Sequence, residues 1–320
     1  MIIFILWLAV ACVTSVRPLA AECENDLPVI GILSQALNED GYPDSANYIA
    51  SSYVKFVEMF AAQVVPILPN RTADYYDYLL ERLNGILLPG GDVSLYNGSY
   101  HDFALRAMNY SETVFNENGE IFPILGICLG FEELVTLGAG QKVMSHTDSS
   151  KLLSPIEISS YGLLNSRLLQ WAPGWLIETM ESKPIAPNFH DFSLLSETYW
   201  ANEELQEAFE VVAYGKDRAG LKFVSLVEGK NLPFIGYQFH PEKNLFEWAP
   251  DYSSALAHNF DGASVSQYLG DYFVQQSRRS CQQFDSQQDL DQVLIYNYNQ
   301  TYSQNLFSDF HFTQMYIFDK

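Results

Sequence analysis

The sequence predicts an α/β fold, in which a mostly parallel sheet carries helices on both faces. Two observations support this prediction. Short apolar runs of strand length alternate with segments of helical spacing, an order that produces parallel strands joined by crossover helices. Hydrophobic residues make up 48% of the 320 residues, enough for the sizeable core of one large domain. The predicted strands cover 27–33, 64–68, 85–88, 122–125 and 232–239, and the predicted helices cover 46–62, 73–83, 131–137 and 263–275.

The strongest signal of chemistry is a cysteine in a glycine-flanked turn. The strand over 122–125 leads to Cys128, which has Gly126 and Gly130 as its second neighbours, and a helical pattern follows over 131–137. Strand, sharp turn and helix place a nucleophile at the apex of a nucleophile elbow. The N-terminus of the helix is expected to favour the reactive thiolate. The alternative is a buried structural cysteine between two packing glycines.

A histidine and a carboxylate follow a strand far downstream. The apolar segment 232–239 ends in His240-Pro241-Glu242. A histidine at a strand end, two residues from a glutamate, suits a general base and the group that orients it. An ordinary loop start is the alternative for this motif alone. Its position after Cys128 in the chain favours a Cys-His-Glu catalytic set.

A third motif follows the strand at 85–88. Pro89-Gly90-Gly91-Asp92 can direct backbone N–H groups towards an anion, and we expect the N–H groups of Gly91 and Leu129 to form an oxyanion hole. A plain turn is the alternative. All three motifs follow apolar strands, and reactive groups gather at the carboxyl ends of parallel strands. We therefore expect the three motifs to form one site.

In this order the three motifs resemble the class I glutamine amidotransferase-like family, and most closely its gamma-glutamyl hydrolase branch. The resemblance implies a cysteine hydrolase that cleaves the gamma-glutamyl amide bonds of folate polyglutamates through a thioester, without a cofactor. It also implies a possible homodimer. The alternatives are a hydrolase of other gamma-glutamyl conjugates and an inert secreted binding protein of the same fold. Further matching segments are 28–33, 48–55, 130–134, 188–190, 240–243 and 316–319.

The resemblance also implies a substrate site lined by Tyr53, Glu132 and His190. Glu132 stands where the amidotransferases usually have a glutamine, and a carboxylate there argues against glutaminase activity. Ordinary aromatic packing is the alternative for Tyr53. A hydrogen-bonded structural histidine is the alternative for His190.

The beginning of the chain predicts entry into the secretory pathway. Residues 1–21 are interpreted as a signal peptide rather than a signal anchor, because the apolar run is shorter than the ~20 residues of a spanning helix. This leaves 22–320 as the catalytic domain, in a lysosome, a vacuole or the extracellular space. Four glycosylation sequons agree with this route, and they begin at Asn70, Asn97, Asn109 and Asn299. Cys23 and Cys281 can pair in an oxidising compartment or remain as thiols.

The charge balance limits the partners of the protein. A net charge of −22 and a pI near 4.4 argue against nucleic acid, because phosphate binding needs a basic face. No membrane contact is expected after signal cleavage. A polyanionic substrate requires local cations at the site, for which Lys55, Arg106 and Lys243 are candidates. Spacings typical of metal ligands are absent from the sequence, so no metal is expected.

Overall fold

The computed structural model describes residues 23–39, 41–306 and 312–319, and the predicted signal peptide at 1–21 lies outside them. Within the described ranges, none of the helices is long and apolar enough to cross a membrane. The same ranges contain sixteen strands: β1 (Val29–Leu33), β2 (Gln35–Ala36), β3 (Asn47–Ala50), β4 (Gln63–Ile67), β5 (Gly85–Leu88), β6 (Ile124–Ile127), β7 (Met144–His146), β8 (Leu152–Ser154), β9 (Glu157–Ile158), β10 (Ala186–Asn188), β11 (Phe192–Leu194), β12 (Phe209–Lys216), β13 (Lys222–Gly229), β14 (Phe234–Tyr237), β15 (Gln300–Tyr302) and β16 (Gln314–Phe318).

The helices of the described residues lie between these strands along the chain. They are α1 (Ser51–Glu58), α2 (Ala73–Leu80), α3 (Ser99–Asn118), α4 (Leu129–Ala139), α5 (Ser160–Asn165), α6 (Gly174–Ser182), α7 (Ser196–Trp200), α8 (Glu203–Ala208), α9 (Lys243–Phe246), α10 (Phe260–Ser277) and α11 (Gln287–Val293).

Eight strands form the central sheet, in the order β4-β1-β5-β6-β14-β13-β12-β9. The five strands from β4 to β14 are parallel, and β13, β12 and β9 extend the sheet in antiparallel pairs. The prediction of a mostly parallel α/β sheet is confirmed. The antiparallel extension was not predicted.

Helices cover both faces of this sheet, as the sequence predicts. Ile30 and Ile32 of β1 pack in one cluster with residues of α1 and α10. Val29 and Leu33 alternate to the opposite face and pack with residues of α2, α3 and α4. Strand residues that alternate between two apolar clusters are typical of a sheet buried on both sides.

The sheet order brings the three sequence motifs to one edge. Strands β5, β6 and β14 are parallel neighbours, with Leu88 beside Gly126 and Ile127 beside Tyr237. The loop after β5, the turn after β6 and the segment after β14 therefore leave the sheet at the same end.

One predicted helix, over residues 46–62, is partly wrong because its beginning belongs to a smaller sheet. Residues 46–62 do not form a continuous helix, because Asn47–Ala50 is the strand β3 and α1 begins only at Ser51. β3 pairs with β2 on one side and with β16, near the far end of the sequence, on the other. The apolar spacing predicts the helix correctly only after Ala50, because the residues before it form a strand by pairing with a distant part of the chain.

Candidate active site

Cys128 lies at the apex of the turn between β6 and α4. Its backbone angles are φ 54° and ψ −108°, a conformation that side-chain-bearing residues rarely adopt. The glycines on either side allow this turn, because a Cβ on Gly126 would lie 2.3 Å from the carbonyl oxygen of Gly130. The predicted strand, tight turn and helix are confirmed as the geometry of a nucleophile elbow.

His240 and Glu242 form a buried pair beyond the end of β14. The Nδ1–H of His240 donates to Oε1 of Glu242 at 2.7 Å, and Glu242 is fully buried. This bond leaves the lone pair on Nε2 of the imidazole ring. The position of His240 is fixed further by its backbone N–H, which donates to the carbonyl of Pro187 at 2.9 Å.

The Pro-Gly-Gly loop brings the nucleophile and the histidine together. A Cβ on Gly90 would lie 2.7 Å from Cε1 of His240 and 3.1 Å from Cβ of Cys128. Both side chains therefore pack against a point on the loop that only glycine leaves open. The structure places the three predicted motifs in one site.

Burial controls the protonation of the two groups. Burial raises the pKa of the Cys128 thiol well above its usual value, and the charge of Glu132 acts in the same direction. Burial also lowers the pKa of His240, although Glu242 opposes this shift. The thiol–imidazole form is favoured before substrate arrives. The N–H of Leu129, at the N-terminus of α4, lowers the pKa of Cys128 as expected, but burial raises it by more.

Tyr53 contacts both His240 and the Pro-Gly-Gly loop. Its hydroxyl oxygen accepts the Gly90 N–H at 2.9 Å and lies 3.3 Å from Nδ1 of His240. The side chain is on α1, is only 2% exposed, and is outside the wall of the cavity described below. Tyr53 therefore contacts the loop and the imidazole ring and does not line this cavity, and its predicted contact with substrate stays a prediction.

A cavity of about 510 Å³ opens onto the thiol. Gly91, Cys128, Leu129, Glu132 and His190 all contribute to its wall, as the sequence predicts for a common site. A volume of this size lies within the ~300–1,000 Å³ range of small-molecule sites.

Glu132 is a buried carboxyl on the first turn of α4. Oε1 accepts a hydrogen bond from the side-chain amide of Gln238 at 3.0 Å, and Glu132 is 7% exposed. Burial raises its pKa to about 7. Glu132 is therefore largely protonated and uncharged in acid, and it gains charge only near neutral pH.

His190 lies in the cavity wall with both ring nitrogens engaged. Nε2 is 3.1 Å from Oδ1 of Asn188, and Nδ1 lies 3.0 Å from the carbonyl of Phe192 and 3.1 Å from Oγ of Ser193. Burial lowers the pKa of His190 to about 3, so the ring is neutral. These bonds order the segment that forms one side of the cavity.

The two proposed oxyanion donors, Gly91 and Leu129, both line the cavity at the thiol. The Leu129 N–H contacts the sulfur of Cys128, and Gly91 lines the cavity. Gln35, which sequence reasoning missed, holds this loop because its amide donates to the Gly90 carbonyl at 2.7 Å. A Cβ on Gly91 would lie 1.6 Å from the Gln35 amide oxygen, so a side chain there would displace the Gln35 amide.

Of the three candidate cations, one lies beside the site. Lys243 is buried, with Nζ 5.2 Å from the ring centre of Phe189, a residue of the cavity wall. Arg106 instead pairs with Asp77, and Lys55 bonds to Gln314. Within the described ranges, no group of three histidine, cysteine or acidic residues is arranged to hold a metal.

Two features outside the site bear on the predicted secretory route. Cys23 and Cys281 form a disulfide, the pairing that the sequence left open. All four sequon asparagines are exposed. Asn109 lies within α3 rather than beside a loop, whereas Asn97 precedes that helix.

The fold and the site define an α/β cysteine hydrolase with its nucleophile on an elbow. The sequence matches the Peptidase C26 family over residues 28–242. It is 36% identical over 293 residues to the gamma-glutamyl hydrolase of Bos taurus, and 35% identical over 293 residues to that of Homo sapiens, each covering 91% of this chain and 90% of the relative. Gamma-glutamyl hydrolase B of Dictyostelium discoideum is 35% identical over 303 residues, covering 92% of this chain and 84% of the relative. The chain belongs to this family, the C26 gamma-glutamyl hydrolases.

Proposed function

We propose that the protein hydrolyses the gamma-glutamyl amide bonds of folate polyglutamates, with Cys128 as nucleophile, His240 as acid and base, and Glu242 as the group that orients His240. The observation that carries the proposal is the strained turn that places Cys128 in the wall of a cavity, with the 2.7 Å His240–Glu242 pair packed against the same loop residue, Gly90. The gamma-glutamyl bond is supported by the relatives named gamma-glutamyl hydrolase. The folate polyglutamate is what the family resemblance of the sequence motifs implies.

The first half of the reaction forms a thioester. As Sγ of Cys128 attacks the γ-carbonyl carbon, its proton moves to Nε2 of His240. The N–H groups of Gly91 and Leu129 stabilise the oxyanion of the tetrahedral intermediate. The intermediate collapses, the C–N bond breaks, and His240 returns the proton to the leaving amine.

The second half consumes water. His240 takes a proton from a water molecule, whose oxygen attacks the thioester carbonyl. The second tetrahedral intermediate expels the sulfur, which regains its proton from His240. The products are a free γ-carboxyl group and the amine released in the first half. Glu242 keeps the imidazole in the tautomer that both steps require.

The acidic cavity favours work at low pH. A polyglutamate carries several carboxylates, and Asp92, Glu132 and Asp191 all line the cavity. Glu132 is uncharged below its pKa of about 7, so repulsion of the substrate is weaker in acid. This dependence agrees with the expected lysosomal or vacuolar location.

Hydrolysis of a pteroyl-polyglutamate by the purified protein tests the proposal. Wild type, Cys128→Ala and the control Glu112→Gln are assayed at about pH 5 and about pH 7, with products separated by chain length. Glu112 is exposed and outside the catalytic cavity. We expect turnover by wild type and the control, and none by Cys128→Ala. Full activity in Cys128→Ala would refute the mechanism. A wild type that cleaves only other gamma-glutamyl amides would move the substrate assignment to those conjugates.

A further inference from the structure

A second cavity lies between α3, α8 and the C-terminal end of α4, whereas the catalytic cavity is lined by the N-terminal end of α4. Its volume is about 500 Å³. Its floor is apolar and includes Met108 and Phe115 of α3, Leu137 of α4 and Phe234 of β14. The proposed reaction uses none of these residues.

The rim of this groove is polar and acidic. Asn109 and Glu112 line it from α3, and Glu204 and Glu207 line it from α8. All four are exposed. A second copy of the chain would bring the same three carboxylates against these, in a protein of net charge −22, so self-association here is opposed by repulsion. An apolar floor with a rim of hydrogen-bond acceptors instead suits a neutral ligand rich in hydroxyl and N–H groups.

Such a ligand can be attached to the groove itself. Asn109 is the first residue of the sequon Asn109-Tyr110-Ser111. Its side chain is exposed and forms part of the groove wall. An oligosaccharide on Asn109 therefore begins inside the groove, with no linker to span.

We propose that this groove, defined by Asn109, the apolar floor and the acidic rim, is a seat for the neutral inner sugars of an oligosaccharide carried by Asn109. The C–H faces and acetyl groups of the sugars pack on Met108, Phe115 and Leu137. Their hydroxyl and amide groups donate to the carboxylates of the rim. The volume lies within the ~300–1,000 Å³ range of small-molecule sites. This inference is independent of the proposed hydrolytic activity.

The test compares glycans on one folded protein. The full chain is produced in a eukaryotic secretory host, and glycopeptide mass spectrometry gives the occupancy of each sequon. The native protein is then treated with a peptide N-glycosidase, and release is followed separately at Asn109 and at the exposed controls Asn97 and Asn299, which lie outside the groove. We expect release at Asn109 to be at least about tenfold slower than at an occupied control, because a seated glycan must first leave the groove.

A variant of the groove surface shows whether slow release at Asn109 comes from a glycan bound in the groove or from the position of Asn109 within a helix. Leu105 lines the groove and is 41% exposed, so Leu105→Asp changes the groove surface without opening the core. Release at Asn109 is expected to rise to the control rate in this variant. Equal rates in wild type, an unchanged rate in Leu105→Asp, or an unoccupied Asn109 would each overturn the proposal. A dimer in sedimentation that Leu105→Asp dissociates would assign the groove to a second copy and also overturn it.

Discussion

Adjacent buried glutamates on α4 make the stability of the protein depend on pH. Glu132 is 7% exposed and Glu133 is fully buried, where His101 Nδ1 lies 2.7 Å from its Oε1. Burial raises the pKa of each carboxyl from 4.5 to about 7. Between these values the folded protein holds protons that the unfolded chain has released, so the free energy of unfolding falls as pH rises.

The magnitude follows from the size of the shift. For Glu132 the penalty is absent below about pH 4.5, grows through the window, and is complete above about pH 7. A difference of this size corresponds to roughly 3 kcal/mol for one carboxyl. That is a large fraction of the free energy of unfolding of a typical domain, which is about 5–15 kcal/mol.

Two histidines act in the opposite direction and must be separated from this effect. Burial lowers the pKa of His190 to about 3 and also lowers that of His240. Below pH 6.5 these two histidines therefore hold fewer protons in the folded protein than in the unfolded chain. Their contribution makes the free energy of unfolding increase as pH rises towards that value. The pH dependence of wild-type stability therefore contains both opposing contributions and cannot separate them.

The Glu132→Gln variant isolates the carboxyl. Urea unfolding of wild type and variant, with the disulfide intact, is measured at about pH 5 and about pH 8. Because glutamine cannot ionise, the stability of the variant relative to wild type is expected to increase by up to roughly 3 kcal/mol between the two conditions. The exposed control Glu112→Gln should change by less than about 0.5 kcal/mol. A Glu132→Gln difference that stays constant across the window would refute the reasoning.

Three further predictions concern packing and positioning. Gly130→Ala places a Cβ 2.0 Å from the Leu88 carbonyl oxygen, so chemical denaturation should show a loss of more than about 3 kcal/mol; a loss below about 1 kcal/mol would contradict this packing. Tyr53→Phe removes the hydroxyl beside His240 and should lower kcat about tenfold with little change in KM, and a change in KM alone would instead indicate substrate contact. Breaking the Cys23–Cys281 disulfide, which joins residues 258 apart, should cost about 2–5 kcal/mol in unfolding experiments, and an unchanged midpoint after reduction would contradict it.

Local patterns predicted the parallel half of the sheet well. The strand at 85–88 has the predicted bounds, and the strand, turn and helix around Cys128 are as expected. These elements are encoded by apolar runs and glycines that lie next to one another in the chain. The shared position of the three motifs followed from the rule that parallel strands end at one edge.

Sequence reasoning was incomplete where distant residues or burial decide the outcome. β3 is a strand because β16, more than 250 residues later, pairs with it. Gln35 became part of the site through a hydrogen bond to the Gly90 carbonyl, and no local signal marked it. The resting protonation of Cys128 depends on how much water the fold removes, which the sequence of the turn does not contain.

The pairing of β16 with β3 sets the moment at which the site is completed during biosynthesis. β3 leads directly into α1, and the first turn of α1 contains Tyr53, whose hydroxyl lies beside Nδ1 of His240. Residues 314–318 are synthesised well after the three site motifs, the last of which ends at residue 242. A nascent chain therefore contains Cys128, His240 and the Pro-Gly-Gly loop before it contains the strand that pairs with β3. The contacts of Tyr53 with His240 and Gly90 therefore gain the support of the small sheet only once β16 has been synthesised.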